Sequence, residues 1–401
     1  MIRQIDSPNA ALFGLLFGLS ISISSYAAGQ DQLTRLPSPA PANSSLSRVV
    51  ADESGEIYLS WVSQDAKQAT LAFARLTSEG WDAAQVISEG RNWFVNWADF
   101  PVLSVDSSGM VAHWLQMSAT GTYDYDIRAR FYAQDKATWT EARTIHTDGI
   151  SAEHGFVSML PLNDGTTLIS WLDGRETVHS EPPGAMTLRA GIFDKSGANV
   201  SEWELDHRVC DCCQTSSAMT ENGPIIVYRD RSQQEVRDIY ATRLVDGAWT
   251  LPQAIHNDNW QIAGCPVNGP SVAAMNKRVA VAWFNAKDDV PKIQLVLSTD
   301  SGLSFSEPIV VESPNTNGRV DTTILDSGNI IVSWMDTVGE AKIMLSRYDI
   351  NGELLSTTEV AGSSPSRRSG FPIIEAVGNS VYVTWTDIDA TPQVKVARID
   401  Y

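Results

Sequence analysis

All four cysteines of the 401-residue chain fall in two short stretches, Cys210-Asp211-Cys212-Cys213 and Gly264-Cys265-Pro266. In an oxidising compartment such sulfurs pair as one or two disulfides, for example Cys210 or Cys213 with Cys265, whereas a bond between the neighbours Cys212 and Cys213 is strained. Kept as thiolates, Cys210, Cys212, Cys213 and Cys265 form a soft-metal set, with His154 or His207 as added ligands. The Cys-x-Cys-Cys spacing suits copper better than zinc, whose knuckles use Cys-x-x-Cys. Nothing else in the chain indicates a cofactor: it holds no Gly-rich phosphate loop, no His-Glu-x-x-His and no Gly-x-Ser-x-Gly.

Arginines and acids supply the second chemistry. Arg229 and Arg231 flank Asp230, Arg319 stands two residues before Asp321, and Arg367 and Arg368 are adjacent. Guanidinium groups gathered at one place grip a carboxylate bidentately, which makes Arg229, Asp230, Arg231, Arg319, Arg367 and Arg368 the candidate ligand-binding residues. The competing expectation is that they pair with Asp173, Asp230, Asp336 and Asp387 as salt bridges. Glu153 and Asp321 are the candidate proton-transfer acids.

Residues this scattered can meet only if the fold gathers them. Seven apolar, alternating runs end in an aromatic residue, at Trp61, Trp114, Trp171, Tyr228, Trp283, Trp334 and Trp385, with neighbours 51 to 57 residues apart. Runs such as Ile330-Ile331-Val332-Ser333-Trp334 suit half-buried strands. A turn and another apolar run precede most of them, and one or two further runs follow. Four antiparallel strands repeating about every 50 residues predict an all-β propeller, seven blades preferred and six the alternative. Blade seven ends at Tyr401 after its third strand, so Leu33-Thr34-Arg35-Leu36 is expected to close the ring and remove its open edge. Residues 28–401 then form one domain with almost no helix, and a closed ring predicts a monomer.

In a propeller the segments between blades and the loops after the anchors meet around one mouth of the central channel. The cysteines, Arg48, Arg229, Arg319 and Arg367 all project there. So does a polar residue two places after the anchor, Asp173, Asp230, Asn285, Asp336 or Asp387, expected to cap backbone N–H groups of its own loop. The loop from Asp173 to Ala185, with His179 and two prolines, and the loop with Tyr123 and Tyr125 are expected to fold over the mouth.

Residues 1–27 read as a secretory signal: Arg3, an apolar stretch from Ala10 to Ile23, then Ser25-Tyr26-Ala27 at the cleavage position. Export predicts a periplasmic or secreted protein without stable membrane insertion. A net charge of −19 opposes binding to nucleic acid.

Ser298-Thr299-Asp300-Ser301-Gly302-Leu303-Ser304-Phe305 matches the Asp-box pattern, with degenerate copies at Asp246-Gly247-Ala248-Trp249 and Ser78-Glu79-Gly80-Trp81. With Tyr228-Arg229-Asp230-Arg231 and Gly264 to Pro270, these make the chain resemble sialidase-like (bacterial neuraminidase repeat) propellers, in particular exported bacterial proteins labelled exo-α-sialidase. The resemblance implies a glycan site at the channel mouth with three arginines, a Tyr–Glu pair and an Asp. The chain departs from that pattern: the Arg-Ile-Pro motif is Arg48-Val49-Val50, no Tyr or Glu is matched, and seven repeats exceed six blades. The expectation is therefore a propeller that binds an acidic glycan or other carboxylate ligand, with its hydrolysis as a further step. The alternative is a non-hydrolytic protein whose cysteines bind a soft metal or brace an interaction scaffold.

Overall fold

Each repeat forms its own antiparallel sheet. The computed structural model describes Met1 and residues 31–66, 68–133, 138–179 and 184–401, and among these there are seven sheets. The signal segment therefore lies, apart from Met1, outside the described residues. The first strands of the blades are Ser44–Ala51, Leu103–Asp106, His154–Pro161, Ser216–Thr220, Ser271–Met275, Asp321–Ile324 and Ile373–Val377. They line a central cavity of about 330 Å³. Blade seven continues through Ser380–Asp387 and Gln393–Asp400, and Gln32–Leu36 adds its fourth strand, pairing in register from Gln32 with Asp400 to Leu36 with Val396. The seven-blade expectation and the closing strand both hold. Helix is confined, among the described residues, to Arg175–His179 and two short 3-10 turns. No described helix is long and apolar enough to cross a membrane.

The anchors recur because each fills the gap to the preceding blade. Trp283 of blade five packs with Ile225 and Val227 of blade four, and Trp334 of blade six packs with Ala280 and Leu295 of blade five. Trp61 of blade one closes the circle against Ile373 and Val394 of blade seven. All seven anchor side chains are buried. A ring large enough to bridge two sheets is needed once per interface, which sets the repeat.

Nearer the axis, side chains of one first strand bond the backbone of the next. Ser216 Oγ accepts from Val272 N at 3.1 Å, Ser271 Oγ from Thr322 N at 3.0 Å and Asp321 Oδ2 from Ile374 N at 2.9 Å. At the rim Leu46, Phe156, Val267 and Arg319 have φ between 51° and 58°. Non-glycine residues are rare there, and Val267, being β-branched, is the most strained. Four of the five polar residues expected to cap their loops do so: Asp173, Asn285, Asp336 and Asp387 each accept from the N–H two residues on, whereas the N–H of Ser232, two residues after Asp230, donates to Val236 O.

Candidate functional site

The segment between blades one and two, residues 91–101, crosses the mouth, and the loop with Tyr123 and Tyr125 packs on it through Phe94. Trp93 stacks on Trp114 and Phe94 on Tyr125, at 5.3 and 4.2 Å between centroids. Trp97 then reaches blades six and seven, with the Arg319 guanidinium 5.3 Å from its ring and Phe371 stacked at 5.7 Å. Ala98 O accepts from Gln214 Nε2 of the blade-four approach at 2.7 Å, and Asp99 Oδ1 from Phe156 N of blade three at 2.7 Å. Touching so many blades, the segment crosses the mouth. Four aromatics within ten residues, without strand alternation, were the signal for it. Of the other loop expected to do this, residues 180–183, including both prolines, lie outside the described residues.

Asp99 leads to the most reactive arrangement. The Tyr125 hydroxyl lies 2.9 Å from Asp99 Oδ2 and 2.9 Å from Glu153 Oε1. A phenol carries one proton, so it can donate to only one carboxylate; at the other contact the carboxyl must carry the proton and donate to the phenol oxygen. The electrostatics agree. Burial pushes Asp99 up to about 8 and Glu153 up to about 7, and the Tyr125 phenol well above its usual range. Asp99 and Tyr125 are buried, whereas Glu153 is half-buried and is the most exposed of the three. A side chain at Gly155 would place its Cβ 1.9 Å from Asp99 Oδ2, so only glycine permits this approach.

Beside Glu153 stands Asp211, whose charge adds to the rise of the Glu153 pKa. Both its oxygens accept from Arg231 Nη1, at 3.0 and 2.9 Å, and Arg231 also bonds Glu235. The cysteines hold this corner together. Cys212 pairs with Cys265 and Cys210 with Cys213, with Cα separations of 6.1 and 5.8 Å, inside the span a disulfide bridges. The expected tie between the approaches to blades four and five is present, but through Cys212 and not Cys210 or Cys213. Cys210 and Cys213 are buried and Cys265 is exposed. Neither His154 nor His207 joins the sulfurs among the described residues; His207 is exposed beside Asp206.

The arginines divide. Arg229 is fully buried and donates to the backbone carbonyls of Asn268, Arg237 and Phe284. Arg319, equally buried, donates to the carbonyls of Pro365, Ser366 and Gly370 and to Ser369 Oγ. Both hold the rim together, which corrects the expectation that they face a ligand. Arg367 and Arg368 are exposed, Arg367 with its guanidinium 5.8 Å from the Trp97 ring. Asp230 is half-buried and pushed up to about 7, by burial first and then by Asp206. Asp321 does not stand with Glu153: its carboxyl accepts from Ser271 Oγ, Thr322 N and Ile374 N inside the channel, where Arg48 and Glu375 also line the wall.

Sequence reasoning missed a second buried group, between blades two and three. His146 and His154 stack at 3.6 Å with an interplanar angle of 4°. Asp148 Oδ2 lies 3.0 Å from His146 Nδ1, 3.2 Å from His154 Nε2 and 3.1 Å from Arg175 Nη2, and Arg175 also bonds Asp173 at 2.6 Å. Two parallel rings point their lone pairs into parallel planes, so one metal ion cannot lie in both. The Arg175 guanidinium already balances the two carboxylates. The group is therefore an ion network that locks the two blades together. Burial, then the neighbouring His154, lowers His146 to about 4.

These shifts set a pH dependence of stability. Asp99, Glu153, Asp230 and Glu375 lie at about 8, 7, 7 and 7 in the fold. A carboxyl raised by folding stabilises fully below its unfolded pKa, about 4, and that contribution is lost as pH rises through 7 to 8. His146 is shifted down, so its contribution is full above about 6.5 and lost as pH falls towards 4. Between about pH 4 and 6.5 the four carboxyls lose stability while His146 alone gains it, so the melting temperature is expected to be highest near pH 4 to 5 and to fall towards pH 8.5, on the order of a few kcal/mol coming from Asp99 alone. Calorimetry across pH tests this, and Asp99→Asn should flatten the alkaline side; a curve flat from pH 6 to 8.5 in the wild type contradicts it.

No family profile and no curated protein matches the chain. Solved structures do. A protein of unknown function from Dyadobacter fermentans is 10% identical with a TM-score of 0.52, covering 92% of this chain and 97% of that one. Polysaccharide lyase Uly1 is 9% identical with a TM-score of 0.55, covering 86% and 88%. A variant of NanB sialidase from Streptococcus pneumoniae is 7% identical with a TM-score of 0.48, covering 93% and 95%. At such identities the likeness is one of fold.

Proposed function

We propose that this propeller binds a glycan at the rim around Glu153 and that Glu153 gives its proton to a glycosidic oxygen there. The observation that carries the reading is the single phenolic proton of Tyr125 set between two carboxyl groups, which keeps one acid protonated near neutral pH. In a hydrolysis, the proton leaves Glu153 for the departing sugar, a water supplies hydroxide to the anomeric carbon, and Asp211 takes the water's proton. The proton taken up by Asp211 returns to Glu153 through solvent, which closes the cycle, and the contact with Tyr125, itself bonded to Asp99, holds Glu153 in its protonated form. This gives the Tyr–Glu pair a role different from the one the resemblance implies, because Tyr125 is too deeply buried to attack a sugar. An acidic group on the glycan would be met by Arg367 and Arg368, the exposed arginines of the rim.

The test is to incubate the protein with acidic and neutral oligosaccharides and to follow new reducing ends. Cleavage of an acidic glycan is expected, with KM raised about tenfold by Arg367→Ala with Arg368→Ala, the loss of one charged contact. Failure to bind or cleave any glycan overturns the reading.

A further inference from the structure

The largest cavity described lies at the end of the ring opposite Glu153. It is a groove of about 530 Å³ between blades one and two, flanked by the hairpin turns at Asp52–Glu56 and Asp106–Gly109. Its volume falls in the roughly 300–1,000 Å³ range of small-molecule sites.

Tyr58 and Tyr132 line it as half-buried rings, with Phe73 buried in its floor. Tyr58 packs on Phe73 at 6.5 Å, and Trp139 behind the wall supports both Phe73, at 6.2 Å, and Tyr132, at 5.3 Å. Beside the rings runs a continuous polar chain. The Tyr58 hydroxyl donates to Glu56 Oε2 at 3.1 Å, Arg75 Nη1 donates to both Glu56 oxygens at 3.3 and 3.2 Å, and Arg75 Nε donates to Asp82 Oδ2 at 3.1 Å. Tyr58 and Arg75 are half-buried, so ring and guanidinium both remain reachable from solvent.

The composition selects the occupant. A purely apolar ligand would bury the Glu56–Arg75–Asp82 chain without replacing its water, at a cost. A cation finds its place between Glu56 and Asp82 already held by Arg75. An anion meets four carboxylates, Asp52, Glu56, Asp82 and Asp106, against one guanidinium. A neutral sugar satisfies every surface: its C–H face lies on the negative face of an aromatic ring, and its hydroxyls both accept from Arg75 and donate to the carboxylates. We propose that this groove is a binding site for neutral oligosaccharide, separate from the rim around Glu153. The proposal does not rest on the catalytic reading of Glu153.

Titration calorimetry with neutral cello-, xylo-, manno- and chito-oligosaccharides tests it. At least one series is expected to bind wild type and Glu153→Gln equally. Tyr58→Ala should weaken that binding about tenfold or more, while Tyr58→Phe, which keeps the ring, should retain most of it. Arg75→Met, which removes only the surface ion pairs to Glu56 and Asp82, should weaken it similarly with a nearly unchanged melting temperature. No binding by any neutral series, binding that Arg75→Met and Tyr58→Ala leave intact, or binding lost in Glu153→Gln would each overturn the proposal.

Discussion

A chain lacking residues 31–36 is expected to melt about 5 °C below the full-length protein and to associate as it does so. Five residues of backbone pairing with the strand Gln393–Asp400 would be lost. Leu33 and Leu36 would leave the clusters on either side of blade seven. Arg35, whose guanidinium lies 4.9 Å from the Trp385 ring and bonds Val360 O, would go with them. So would the ion pair from Asp31 to Arg347 at 3.2 Å. Against these stands the backbone entropy released by six residues. The difference is about 3–5 kcal/mol. The unpaired edge of Gln393–Asp400 would then present open N–H and C=O groups to a second chain. Scanning calorimetry with light scattering gives both readouts, and an unchanged melting temperature would show that the ring is closed by other contacts.

Glu153→Gln is expected to lower the turnover of whichever glycan is cleaved by about 10²–10⁴-fold while leaving the melting curve nearly unchanged. The amide has the size of the acid, and its N–H still donates to the Tyr125 oxygen, so the fold keeps its hydrogen bond. The amide cannot give up a proton to a glycosidic oxygen. Because burial holds Glu153 near 7, wild-type activity should fall as pH rises through 7, where the acid form disappears. Residual activity of the variant should lack that alkaline limb. A variant with full turnover, or one with an unaltered pH profile, would place the proton donor elsewhere.

The ring was legible because its determinants repeat. One large aromatic per interface is a requirement of packing two sheets, and it leaves its period in the chain. The closing strand was legible for a related reason, since a three-stranded last blade has an open edge that some other segment must cover. The arginines were misread because a guanidinium declares its partner only in three dimensions. Arg229 is satisfied by carbonyls at 237, 268 and 284, and no local spacing marks those residues. Tyr125, Asp99 and Glu153 meet across 26 and 28 residues of sequence through a segment with no strand pattern. The cysteine corner was half legible. Topology brings Cys265 beside the Cys210–Cys213 stretch, but a turn at Asp211 and Cys212 folds Cys213 back onto Cys210, and no local spacing marks Cys212 as the sulfur left for Cys265.

The pairing of Gln32–Leu36 with residues 396–400 also bears on the order of folding. The first strand of the ring is its last to find a partner. At about 5–20 residues per second, the roughly 360 residues between the two partners take roughly 20 to 70 seconds to be made. For that interval the strand is present without its neighbour, while inner blades, each built from contacts within about 50 residues, can already assemble. Ring closure is thus a late, non-local step whose loop entropy is met only once the last strand exists. The slowest phase of refolding should follow the burial of Leu33 and Leu36, after the blades themselves have formed.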